Sequence, residues 1–158
     1  MTLSKIINKE QLEQLRSQSS ELSQKIVFTN GCFDILHPGH IDILTRSKAL
    51  GNILIVGVND DASIARLKGA NRPIHTLNDR MTMLASLSST DYIIPFSEDT
   101  PYNLIILANP DILVKGGDYT IDSIVGAEEV IQNGGRVEII DILEDYSTSS
   151  IIEKIKKS

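Results

Sequence analysis

From Lys25 onward, short apolar runs alternate with amphipathic stretches. The runs are Lys25–Asn30, Asn52–Val58, Asp91–Phe96, Asp111–Val114 and Arg136–Asp141. They lack the apolar–polar alternation of a half-solvated strand, so they predict strands buried on both faces, as in a parallel sheet. Between them, apolar residues recur at helical spacing in Pro38–Leu50, Asp61–Lys68, Asn78–Leu87, Tyr102–Ala108 and Ile121–Gln132. A last helix follows Ser147 and ends in Lys154–Lys157, where cations suit the negative end of the helix dipole. Pro38 stands at a helix start and Gly51 at a helix stop, and Asn133–Gly135 ends the stretch before the last strand. The predicted architecture is an α/β domain over residues 25–158. It is a single Rossmann-like, doubly wound parallel sheet in an α/β/α sandwich. Such sheets bind ligands at the C-terminal ends of the strands, near the point where strand order reverses. Residues 1–24 are polar and helix-like. Asn8 with Gln11 suggests a capping box and Leu12 and Leu15 an apolar stripe, so a helical extension at the domain edge is expected.

Composition narrows the function classes. The chain has 158 residues and a net charge of −6, with fifteen Lys and Arg against twenty-one Asp and Glu. That balance argues against non-specific binding to nucleic acid or anionic membranes, but leaves room for a phosphorylated small molecule met by a few local cations. Aromatics are 4% and Trp is absent, which disfavours a base-stacking platform. No apolar run approaches the length of a membrane span, and the N-terminus has no signal-like apolar stretch. Cys32 is the one cysteine, so no internal disulfide is possible and a cytoplasmic location is expected.

The segment Asn30–His40, N-G-C-F-D-I-L-H-P-G-H, follows the first strand and opens the first helix. Gly31 permits a tight turn and Asp34 is an acceptor within it. His37 and His40 are three residues apart at a helix N-terminus, so both imidazoles turn to one side, where backbone N–H groups also point. Two imidazoles there can donate to phosphate oxygens and meet negative charge growing on a five-coordinate phosphorus. Three other readings compete. A zinc site lacks further ligands, since His75 is the only other histidine. Incidental capping or surface histidines are a second. A dinucleotide loop is the third, without the G-x-G-x-x-G or G-x-x-x-x-G-K-[ST] spacing. Cys32 has no evident base nearby and reads as a packed small residue.

Gly31, Phe33, Asp34, His37, Gly39 and His40 match G-x-F-D-x-x-H-x-G-H. The stretch resembles the signature of the HxGH nucleotidyltransferase superfamily, in its cytidylyltransferase-like branch. Arg66-Leu67-Lys68-Gly69 with Arg72-Pro73 resembles the heptose-phosphate adenylyltransferases within it. So do Glu98–Pro101, Pro110–Tyr119 and Asn133–Gly135, and the likeness runs from about Lys25 to Lys157. In many bacteria this domain is fused to a sugar kinase. The resemblance implies transfer of AMP from ATP to a heptose 1-phosphate, with loss of pyrophosphate, in the synthesis of ADP-heptose for lipopolysaccharide. A CTP-dependent glycerol-phosphate cytidylyltransferase is the alternative. Those enzymes carry an Arg shortly before the S-T-[ST] motif, where this chain has Ile142-Leu143-Glu144-Asp145.

The resemblance also implies roles. His37 and His40 bind the triphosphate and stabilise the transition state, and Lys68 joins them as a catalytic phosphate ligand. Asn30, Gly31, Cys32, Phe33, Asp34 and Gly39 surround the nucleotide. Arg80 contacts phosphate, against the plain alternative of a helix-surface ion pair. Lys115 and Gly116 reach the nucleotide, while Lys115, Gly117, Asp118, Tyr119 and Asp34 face the sugar phosphate. Asp34 either holds its loop or assists the metal. Ser147, Thr148 and Ser149 offer hydroxyls and a helix N-terminus to phosphate. A Mg2+ ion is expected to bridge triphosphate oxygens, held mostly by substrate and water, with no protein metal site. The partners implied are ATP, a sugar phosphate and a second copy in a homodimer.

Overall fold

The computed structural model describes residues 2–158, with side chains from residue 4 onward. Five parallel strands form one sheet: β1 (Ile26–Gly31), β2 (Ile53–Asn59), β3 (Tyr92–Phe96), β4 (Ile112–Gly116) and β5 (Arg136–Ile140). Their order is β3-β2-β1-β4-β5, so strand order reverses at β1 and β4. The helices are α1 (Lys9–Glu21), α2 (Pro38–Lys48), α3 (Asp61–Lys68), α4 (Leu77–Ala85), α5 (Tyr102–Ala108), α6 (Ala127–Gln132) and α7 (Thr148–Lys157).

The period-two geometry of the strands divides the core into two layers. Ile26, Phe28, Ile53 and Ile55 pack with Leu12 of α1, Leu104 and Ile105 of α5 and Val130 of α6. Val27, Leu54, Val56 and Val58 pack on the other face with Leu44 of α2 and Met81 and Leu84 of α4. Both faces are buried, which is why these strands read as unbroken apolar runs. No helix among the described residues is long and apolar enough to cross a membrane.

One predicted element divides. Ile121–Gln132 is not a continuous helix: Ile121–Ser123 forms a single 3-10 turn and α6 begins only at Ala127. Gly126 lies between them with φ +80°, and a Cβ there would meet Ile105 at 2.9 Å. The chain needs glycine's freedom to approach α5 that closely, and the left-handed residue breaks the helix. At the N-terminus, Asn8 and Gln11 form the reciprocal capping box, each bond 2.9 Å long. Lys5 Nζ donates to Leu87 O (2.9 Å) and Thr90 O (2.7 Å), and Ile7 N donates to Ile93 O (2.9 Å). Leu12 is fully buried, so residues before Lys25 contribute to the core.

The N-terminal edge of the sheet is sealed by side chains that precede the strands. Asn52 Oδ1 accepts from Lys25 N (2.8 Å), Asp91 Oδ2 from Leu54 N (2.7 Å) and Asp111 Oδ2 from Ile26 N (2.8 Å). Each accepts from a backbone N–H at the start of a neighbouring strand. Arg16 and Lys48 then balance the two carboxylates. Substituting Asp111→Ala strands the N–H of fully buried Ile26. Urea unfolding should show a loss of about 1–3 kcal/mol. Asp111→Asn, which keeps an acceptor oxygen, should recover much of it. Wild-type stability in the alanine variant would remove the capping role.

Candidate active site

The site begins where β1 and β4 part. Their ladder pairs only Val27 with Ile112 and Phe28 with Leu113. Beyond Phe28, side chains replace the ladder. Thr29 Oγ1 donates to Val114 O (3.1 Å) and Lys115 Nζ donates to Asn30 Oδ1 (2.9 Å). The divergence opens a cleft of about 650 Å³ at the C-terminal edge of the sheet. That is the size and place expected of a small-molecule site at a switch point of a doubly wound sheet.

The loop after β1 is contorted. Phe33 (φ +49°) and Ile35 (φ +50°) are both left-handed without being glycine. Such residues hold only where neighbours over-determine them. Asp34 between them does this. Its carboxylate accepts from Arg72 Nε (2.9 Å), Ile74 N (2.8 Å) and His75 N (3.0 Å). Burial alone would raise the Asp34 carboxyl, but the bonds from His75, Ile74 and Arg72 hold it below its ordinary value. Of the two roles expected for Asp34, the geometry is that of a loop anchor. Thr148 Oγ1 donates to Asp34 O (2.6 Å), tying the start of α7 to the same loop.

His37 is the N-cap of α2 and His40 lies one turn inside it. Their rings stack with centroids 3.8 Å apart and planes 22° off parallel. Gly39 makes the stack possible, since a Cβ there would lie 3.0 Å from His37 Nδ1 and Cε1. Phe33 leans on His40 at 5.4 Å and Tyr146 faces His37 at 6.4 Å. Both Nδ1 atoms are buried without a hydrogen-bond partner. Burial, and the neighbouring His37, push His40 down to about 4, and burial lowers His37 as well. At neutral pH both rings are therefore uncharged.

Of the other expected residues, Asn30, Gly31, Cys32, Phe33 and Gly39 line the cleft on the β1 side. Lys115, Gly116 and Tyr119 line it from β4, and Ser147, Thr148 and Ser149 from α7. Lys68, exposed at the end of α3, also borders it. Burial lowers the Lys115 ammonium, which sits 6.0 Å from the Tyr119 ring. Gly117 and Asp118 line an adjoining pocket with Asp141, Glu144 and Asp145.

Arg80 does not line the cleft and is fully buried. Its guanidinium donates to Cys32 O (2.7 Å), Asn59 O (2.8 Å), His75 O (3.1 Å) and Asp61 Oδ1 (2.8 Å). It is neither a cleft group nor a solvated surface pair: it joins the β1 loop to the end of β2. Arg72, to which no role was assigned from the sequence, does line the cleft. The available signal was its place four residues after Lys68 on one polar loop.

Comparison with known proteins bears on this arrangement. Residues 28–154 match the model of the family described as cytidylyltransferase-like. The chain is 54% identical over 146 residues to the "Bifunctional protein HldE" of Marinomonas sp., covering 92% of this chain and 30% of that one. It is 52% identical over 153 residues to the protein of that name in Nitrosococcus oceani, covering 97% and 32%. It thus spans about a third of these relatives. A solved lipopolysaccharide core biosynthesis protein from Thermoplasma volcanium is 35% identical with a TM-score of 0.61, covering 78% of this chain and 99% of that one. A pantoate–β-alanine ligase from Francisella tularensis, at 16% identity and a TM-score of 0.62 over 96% and 76%, shares the fold alone. With the family model spanning most of the chain and the histidine loop at the head of α2, the chain belongs to the cytidylyltransferase-like family of nucleotidyltransferases.

Proposed function

We propose that this chain transfers AMP from ATP to D-glycero-D-manno-heptose 1-phosphate, releasing pyrophosphate and giving ADP-heptose for lipopolysaccharide or a related glycan. The observation that carries the reading is the stacked histidine pair at the head of α2, lining one cleft with cations on both sides. The heptose assignment is supported by the resemblance of the Arg66–Pro73 and Pro110–Tyr119 segments to heptose-phosphate adenylyltransferases. It is also supported by the relatives called bifunctional HldE and by the relative described as a lipopolysaccharide core protein.

An oxygen of the sugar phosphate attacks the α-phosphorus, the bond to the bridging oxygen breaks, and pyrophosphate leaves with that electron pair. The attacking oxygen is already anionic, so no general base is required. The protein's task is in-line positioning and stabilisation of charge. Neutral His37 and His40 donate N–H to the α-phosphoryl oxygens as charge grows there. Lys115 and Asn30 hold the acceptor phosphate, with Tyr119 beside them. Gly117 and Asp118 in the adjoining pocket meet the sugar. Ser147–Ser149 offer the N-terminus of α7 to phosphate. Among the described residues no cluster of three or more His, Cys, Asp or Glu forms a metal cage, and the Asp34 carboxylate is engaged by its loop. A magnesium ion would enter with the triphosphate as part of the substrate and would neutralise its oxygens.

The test is pyrophosphate release, crossing ATP and CTP against both anomers of heptose 1-phosphate and against glycerol 3-phosphate. Turnover with ATP and a heptose 1-phosphate alone is expected. Turnover with CTP and glycerol phosphate would move the chain to another branch of the family. Substituting His40→Ala should lower kcat by about 10²–10³-fold while the melting transition survives. Near-normal turnover would remove the donor role.

The pH behaviour carries a sign. His40 titrates near 4 when folded and near 6.5 when unfolded. The unfolded chain therefore binds more protons between those values, and this contribution to stability is lost as pH falls from about 6.5 to about 4. NMR titration of the ligand-free protein should place the His40 midpoint near 4. Added triphosphate should raise it, because anionic oxygens favour the imidazolium. A free-state midpoint well above 7 would refute the neutral-donor reading.

A further inference from the structure

We infer that Arg72 is a pyrophosphate-binding residue of this cleft, aimed by Asp34; the inference rests on the nucleotidyl-transfer reading above. Lys68 ends α3, and Arg72 ends the turn that follows it, closed by Arg72 N donating to Gly69 O (3.1 Å). Both border the cleft. They differ in freedom: Lys68 is exposed, whereas the Arg72 side chain is 13% exposed and fixed on the fully buried Asp34 carboxylate.

Only Nε of Arg72 is engaged. Among the described residues, its two terminal amino groups have no protein acceptor, and neither is among the atoms sealed from solvent. The Asp34 bond fixes the plane of the guanidinium, leaving an open edge of parallel N–H donors. That fork matches two oxygens of a phosphate. Among the described residues, Arg72 is the one arginine lining the cleft. Elsewhere Arg80 is saturated by buried acceptors, and Arg66 is held by Asp99 and Ser97. Asp34 balances the charge of Arg72, so Arg72 supplies direction while Lys68 supplies net positive charge.

Topology selects which phosphates these are. The end of α3 with Lys68 and the turn with Arg72 come after β2 in the chain, and Lys115 stands on β4; β2 and β4 flank β1 on opposite sides. In-line displacement places the leaving and attacking groups on opposite sides of the α-phosphorus. With Lys115 on the acceptor side, the Lys68–Arg72 turn faces the leaving pyrophosphate.

The test is calorimetric titration of the full chain with inorganic pyrophosphate. Arg72→Gln should raise Kd about 10- to 100-fold. Arg72→Lys retains a cation for Asp34 but has no fork. It should melt like the wild type and still bind pyrophosphate weakly, an outcome that a merely structural role would not produce. In the wild-type protein, the NMR signal of Arg72 Nε–H should move as pyrophosphate saturates. Wild-type affinity in either folded variant, or a static Nε–H signal, would overturn the assignment of Arg72. A wild-type chain that binds no pyrophosphate at all would instead overturn the nucleotidyl-transfer reading beneath it.

Discussion

The site depends on a clamp made by two buried charges of opposite sign. Asp34 accepts from the N–H of His75, and Arg80 donates to the carbonyl of the same residue. Asp34 also takes Arg72 and Ile74, and Arg80 takes the carbonyls of Cys32 and Asn59. The β1 loop, the end of β2 and the segment leading into α4 are thus stitched together through polar atoms. A buried charge is tolerable only when its bonds are satisfied. Displacing any one of these three segments would strand several groups at once, so the left-handed residues Phe33 and Ile35 are held in place. The histidines inherit their position from that loop.

The two edges of the sheet are built to opposite ends. At the N-terminal edge, Asn52, Asp91 and Asp111 close the free N–H groups of neighbouring strands. At the C-terminal edge, β1 and β4 separate after two paired residues, and the Thr29 and Lys115 side chains bridge the gap. One edge is sealed for stability. The other keeps unpaired donors: two imidazoles, the Arg72 fork and the head of α7. These are the groups an anionic ligand would satisfy.

Strands β1 to β4 and most helices were legible because burial on both faces leaves apolar runs, and because caps such as Asn8 and Ser147 are local chemistry. The division of Ile121–Gln132 was not legible. It arises from Gly126 meeting Ile105, a contact between segments remote in sequence. The same limit applies to Arg80. The resemblance made it a phosphate contact and its helix offered a surface ion pair, whereas the fold turns the carbonyls of Cys32 and Asn59 toward it. Spacing brought out His37 and His40, yet their stacking and their buried Nδ1 atoms depend on Gly39, Phe33 and Tyr146 converging in space. Asp34 had two roles open from sequence. The Arg72–His75 segment folds back onto its carboxylate, the geometry of a loop anchor.

The electrostatic design follows from these contacts. A chain of net charge −6 needs local positive character to draw in a polyanion. Fixed, fully charged histidines would repel one another at 3.8 Å. Neutral rings avoid that repulsion and stay available as donors, while cationic charge is carried by Lys68 and Lys115 on opposite sides of the loop. Lys68 is exposed, whereas Lys115 is already fixed by Asn30. Rigid neutral donors at the centre and cations at the sides suit a reaction whose charge redistributes along one axis without any proton leaving a carbon or hydroxyl. The buried Asp34–Arg72 pair keeps those two roles apart, because it orients a fork toward the cleft while adding no net charge between the histidines and the cations around them.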